Sequence, residues 1–122
     1  MQPQRAGGIE LIVGAVRDPK WGMVLAVGLG GVWVEVLKDT TLHVLPVSRD
    51  QVKDGLQSLR AAQLLAGARG TEAADLDAVV DAVMRIADVV QRLGDDLESL
   101  EVNPLVVRGS EVEALDALIT WR

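Results

Sequence analysis

Apolar and polar positions alternate through the first third of the chain and then change period. Ile9 to Arg17 is rich in β-branched residues and runs into Asp18-Pro19-Lys20-Trp21-Gly22, a turn signal, so it reads as a strand. Met23 to Val27 reads as a second strand leading into Gly28-Leu29-Gly30-Gly31. Val32 to Leu37, with Val32, Val34 and Val36 alternating against Trp33, Glu35 and Leu37, reads as a third, and Leu42 to Val47 as a fourth. From Ser48, a plausible N-cap, the period becomes helical, with Leu56, Leu59 and the stretch Ala61 to Leu65 on an apolar face that ends at Gly67 and Gly70. Cap residues between Thr71 and Asp75 precede a helix from Leu76 to Leu93. Its Leu76, Val79, Val80, Val83, Ile86, Ala87, Val90 and Leu93 form one stripe, and Gly94 stops it. Strand signals return at Leu97–Val102, Leu105–Arg108 and Val112–Leu118. Strands, helices, then strands predict an α+β fold, a largely antiparallel sheet with helices on one face, in one domain over residues 1–122.

Composition narrows the class. The 122 residues are 49% hydrophobic and 25% charged, enough for a real core. Eighteen acidic against twelve basic side chains give a net charge of −6, which argues against binding nucleic acid through its phosphate backbone. Cysteine is absent, removing disulfides, thiolate metal sites and thiol nucleophiles. The longest hydrophobic run, Met23 to Leu37, is broken by glycines and Glu35 and falls short of the roughly 20 residues of a membrane helix. A cytoplasmic protein without membrane contact is the expectation.

Chemistry concentrates near the C-terminus. Leu100-Glu101-Val102-Asn103-Pro104-Leu105-Val106-Val107 is followed, past a Gly109-Ser110 turn, by Ala114-Leu115-Asp116-Ala117. Strand alternation puts Glu101 and Asn103 on one face with Val102 on the other, and Pro104 is expected to end regular pairing. Pairing of the two strands would converge the Asn103 amide oxygen and the Asp116 carboxylate on one point. Such hard oxygen ligands suit Mg²⁺, which takes few protein ligands and fills its shell with water and phosphate oxygens. The plainer account is an Asn-Pro turn with an edge aspartate. Gly28, Gly30 and Gly31 could bring backbone N–H groups to a phosphate, but they lack the lysine and following helix of a P-loop, and a tight hairpin explains them as well. His43, the only histidine, reads as packed or exposed rather than catalytic. Trp21, Trp33 and Trp121 read as core or hairpin-packing residues rather than a stacking platform. The charges Asp77, Asp81, Arg85, Asp88 and Arg92 read as a solvated helix face.

These stretches together resemble the ATP-grasp module of ADP-forming acyl-CoA synthetases, relatives of the succinyl-CoA synthetase β subunit. Residues Gly7 to Gly14 with Arg17-Asp18-Pro19, Val27 to Gly31 running into Val34-Glu35-Val36-Leu37-Lys38-Asp39, Leu59-Arg60 with Leu64-Leu65 and Arg69-Gly70, and the Glu101/Asn103/Asp116 segments carry the likeness in order. The resemblance implies the C-terminal subdomain of that fold. It implies ATP or ADP bound with Mg²⁺ through Asn103 and Asp116, and Glu101 beside the phosphoryl-transfer centre, where it helps place a phosphohistidine. The candidate nucleotide-contacting glycines are Gly28, Gly30 and Gly31. The N-terminal segment would link the two subdomains and contact adenine. The implied partners are an N-terminal ATP-grasp subdomain and domains that bind CoA and carry the phosphorylated histidine. CoA would therefore be met only through those domains, and the isolated chain is expected to be inactive. An exposed docking side further predicts self-association as a homo-oligomer. Alternatives in other classes are a non-catalytic interaction module and a synthetase-like part of a protein acetyltransferase.

Overall fold

The computed structural model describes residues 9–29, 40–59 and 74–122. In chain order they form β1 (Ile9–Asp18), β2 (Gly22–Leu29), β3 (Thr40–Val44), α1 (Arg49–Ser58), α2 (Leu76–Leu93), β4 (Leu97–Arg108), β5 (Glu111–Ala114) and β6 (Ala117–Trp121). The strands make one six-stranded sheet in the order β3-β2-β1-β4-β5, with β6 also paired to β4, and every pairing is antiparallel. The expected α+β architecture is present. The strand expected over Val32 to Leu37 and the apolar stretch Ala61 to Leu65 lie outside the described residues.

Alternation decides which face is the core. Ile9, Leu11, Val13 and Ala15 of β1 are buried, in register with Leu25 and Val27 of β2 and with Leu100, Val102, Leu105 and Val107 of β4. Both helices cover this face: α2 lays Val79, Val80, Val83, Ala87 and Val90 on it, and α1 adds Val52 and Leu56. The other face carries Ile12, Gly14, Val16, Ala26, Leu42, Glu101 and Leu118, and no helix of the described residues covers it.

Local signals fix the helix ends. The Asp75 carboxylate accepts from the N–H groups of Asp77 (3.1 Å) and Ala78 (3.3 Å), and Gly94 ends α2 at φ 81°. The Arg17 guanidinium donates to the carbonyls of Leu97 (2.9 Å) and Gly94 (3.1 Å), which ties β1 to the negative end of α2. Ser48 caps α1 in a reciprocal box with Gln51. The charged face of α2 is exposed as expected, with ion pairs Arg49–Asp81, Lys53–Asp77 and Arg92–Asp88.

Pro104 interrupts the regular pairing as expected, but β4 itself runs on from Leu97 to Arg108: Asn103 and Pro104 together oppose Ile12 alone of β1, a bulge on β4. Two expectations are corrected. The last strand is two, β5 and β6, separated at Leu115-Asp116. Trp21 and Trp121 are not core residues but 61% and 56% exposed, Trp21 lying under the Lys20 ammonium at 5.5 Å. Trp33 lies outside the described residues. His43 is half-buried: its Nε2 is 3.0 Å from Thr41 Oγ1, and the ring faces Gly55 of α1. No helix of the described residues is long and apolar enough to cross a membrane.

Candidate functional site

The β4–β5/β6 hairpin builds the site. Gly109, at φ 59°, turns the chain after Arg108 in a conformation that glycine adopts at no steric cost. The returning strand keeps one register on both sides of its break, setting Leu105 against Ala114 and Val102 against Ala117. That register places Asn103 opposite Asp116. Two backbone hydrogen bonds hold them there, Asn103 N–H to Asp116 C=O and Leu115 N–H to Pro104 C=O, both 3.1 Å. The Asn103–Pro104 peptide bond is cis.

Directly opposed residues have their Cβ atoms about 5 Å apart on the same side of a sheet. Asn103 and Asp116 are both exposed, at backbone positions that face each other. One carboxylate oxygen of Asp116 accepts from the N–H of Ala117 at 2.9 Å, which orients the group and leaves its second oxygen available. Among the described residues no group of three or more histidine, cysteine, aspartate or glutamate side chains is placed to hold a metal ion. A two-ligand oxygen site fits Mg²⁺, which keeps waters and phosphate oxygens as its other ligands, and does not fit a structural zinc.

Glu101 lies two residues back along β4, about 6.7 Å away, on the same exposed face, with Val102 buried between. Its register partners are Gly14 on β1 and Leu118 on β6. No hydrogen bond or ion pair to a described residue engages its carboxylate. Glu101 borders an open concavity of about 380 Å³ on the uncovered face, lined also by Ile12, Gly14, Val16, Ala26 and Leu118. Gly28 also lines it, from within β2, paired with Ile12 and Thr40. Gly30 and Gly31 lie outside the described residues. The sheet thus brings Glu101 and Gly28 to one concavity, which Asn103 and Asp116 do not line. His43 is on the opposite face, where burial pushes its pKa down.

The reading from sequence missed Gly14 and Ser99, which line the same concavity. The signal for Gly14 was present: a lone glycine interrupting the β-branched run Ile12-Val13-Gly14-Ala15-Val16.

Residues 1–121 match the model of a protein family described as ATP-grasp domain. The chain is 35% identical over 119 residues to the β subunit of ADP-forming acetate–CoA ligase II of Pyrococcus furiosus, covering 96% of this chain and 50% of that subunit. It is 38% identical over 114 residues to a trans-feruloyl-CoA synthase of an unknown prokaryote, covering 92% of this chain and 16% of that protein. The chain spans about half the length of the β subunits it matches. Among solved structures, a dinucleotide-forming acetyl-coenzyme A synthetase 1 of Ca. Korarchaeum cryptofilum superposes with a TM-score of 0.88 at 33% identity, over 100% of this chain and 55% of that one. That structure contains coenzyme A and Mg-AMPPCP, with a phosphohistidine segment pointing towards the nucleotide binding site.

Proposed function

The chain belongs to the ATP-grasp family, and on that footing we propose that it is the C-terminal half of the ATP-grasp module of an ADP-forming acyl-CoA synthetase. The reaction is acyl-CoA, ADP and phosphate to free acid, CoA and ATP, in either direction. The chain supplies one wall of the nucleotide site. The N-terminal ATP-grasp half, the CoA-binding domain and the domain with the phosphorylated histidine complete it, so turnover requires all of them. A cytoplasmic setting accords with those substrates.

The observation that carries this reading is the opposition of Asn103 and Asp116 across one hairpin, one strand repeat from the unengaged carboxylate of Glu101. Asn103 and Asp116 would hold Mg²⁺ by an amide and a carboxylate oxygen. Bound there, the ion would neutralise charge on the phosphates of ATP or ADP during transfer. Glu101, a carboxylate without an intramolecular partner among the described residues, accepts the N–H of the phosphohistidine ring and fixes its orientation. The apolar residues around the concavity keep water from the transferring group. Gly28 allows close approach from the β2 side, with Gly30 and Gly31 the candidate nucleotide contacts in the segment that follows.

The test is a calorimetric titration with ATP and Mg²⁺ beside Asn103→Ala and Asp116→Ala, followed by turnover after assembly with the remaining domains. Binding and turnover should be lost in both variants while the circular dichroism spectrum is unchanged, because both side chains are exposed. Normal turnover in either variant would overturn the assignment.

A further inference from the structure

Gly14 sits mid-β1, with Ala26 of β2 on one side and Glu101 of β4 on the other. Nothing among the described residues calls for glycine there. Its φ is not left-handed, and the register slip of β1 lies earlier, between Leu11 and Val13. A Cβ built on it would meet the Leu100 carbonyl oxygen at 3.4 Å and Glu101 Cγ at 3.7 Å, ordinary contacts that a side chain tolerates. A central strand favours β-branched residues, as at Ile12, Val13 and Val16, and an interior glycine weakens it. A strand glycine without a bulge or bend marks a place where something else comes close. Among the described residues, no chain segment crosses the open face above it.

Resting on the function proposed above, we propose that Gly14 is a specificity-determining residue for phosphoryl transfer. By carrying no side chain it keeps open the slot beside Glu101 in which the acceptor imidazole lies. The slot lies beside Glu101, one strand repeat along β4 from Asn103 and Asp116, which is where a group receiving the terminal phosphoryl has to stand. Its flanks Ile12, Val16 and Leu118 suit the faces of a flat ring. The Glu101 carboxylate repels polyphosphate but meets a ring N–H. Besides the Glu101 carboxylate, a nucleobase there would find the hydroxyls of Thr40 and Ser99, and Ser99 is already bonded to Thr120 at 2.6 Å.

In the transfer, the lone pair of one ring nitrogen attacks the terminal phosphorus of ATP. The bond from phosphorus to the bridging oxygen breaks, and ADP leaves with that electron pair. The second ring nitrogen keeps its proton on Glu101, so the positive charge left on the ring faces a carboxylate. A branched side chain at position 14 would stand where the ring must be.

The experiment uses Gly14→Ala and Gly14→Val in the chain assembled with the remaining synthetase domains. Three readouts are taken: melting temperature, dissociation constant for Mg-ATP, and single-turnover phosphorylation of the partner imidazole. Gly14→Val should melt at or above the wild-type temperature and bind Mg-ATP within about threefold of wild type, yet transfer about 100-fold more slowly, the scale of a misplaced reacting group. Gly14→Ala should fall between. Unchanged transfer in Gly14→Val overturns the proposal. So does a joint fall of melting temperature, binding and transfer, which would make the glycine structural. Weakened Mg-ATP binding with normal transfer at saturation would put the nucleobase in the slot and equally overturn it. A wild-type chain that binds no Mg-ATP in the assembly removes the underlying reading, and that control is visible before any variant is scored.

Discussion

Gly55, buried in the middle of α1, makes the closest approach between a helix and the sheet that the glycines reveal. A Cβ on it would lie 2.8 Å from His43 Nε2, 3.0 Å from His43 Cε1 and 3.1 Å from Thr41 Oγ1. Carbon contacts are comfortable at about 3.5–4.0 Å, so Gly55→Ala forces a displacement of roughly 0.7 Å. Neither target yields freely, because the His43 ring and the Thr41 hydroxyl are hydrogen-bonded to each other at 3.0 Å. Alanine gains about 1 kcal/mol of helix propensity over glycine. Overpacking costs about 1–3 kcal/mol, and a disrupted hydrogen bond about 1 kcal/mol more. The balance is a net loss of about 1–3 kcal/mol. With an m-value of roughly 2 kcal/mol/M, the urea midpoint should fall by about 0.5–1.5 M at unchanged slope. The partner experiment repeats the substitution in a His43→Ala background, where the ring is gone. There Gly55→Ala should be neutral or stabilising by up to about 1 kcal/mol. A wild-type background in which Gly55→Ala stabilises, or two backgrounds with the same response, would refute the steric argument.

His43 also gives a pH dependence. Burial lowers its folded-state pKa, so below about pH 6.5 the unfolded chain takes up a proton that the folded chain resists. Stability should therefore be full above that pH, decline as pH falls, and level off below the folded pKa. Urea midpoints of wild type and His43→Gln compared between pH 5 and 8 isolate this part; parallel curves would contradict it. The uncovered face exposes Leu42 (70%) and Leu118 (64%) beside Val16 and Val44, an apolar surface that predicts concentration-dependent self-association. Sedimentation velocity on the isolated chain should show it, and a strictly monomeric profile at high concentration would count against it.

Much of this fold was legible because single residues announce it. Asp75 and Gly94 bracket α2 at the expected bounds, and the apolar stripe between them settles which side packs. The shared face of Glu101 and Asn103 follows from strand alternation alone. The break in regular pairing at Pro104 was legible, because a proline cannot donate to the ladder; that β4 continues beyond it was not, because only the register shows Asn103 and Pro104 bulging opposite Ile12. The exposure of Trp21 and Trp121 escaped for a related reason: large aromatic rings are core residues by default, and only tertiary placement shows that Trp21 caps a hairpin turn and Trp121 lies on an edge strand. The opposition of Asn103 and Asp116 needed the register on both sides of the Leu115-Asp116 break, which spacing could suggest but not decide.

Because Asn103 and Asp116 face each other across one hairpin, backbone hydrogen bonds tie the two positions together, and any ligand that reaches one meets the other. On the function proposed above, an ion held there would take its remaining ligands from water and nucleotide phosphates, so metal and nucleotide would arrive and leave together rather than in separate steps.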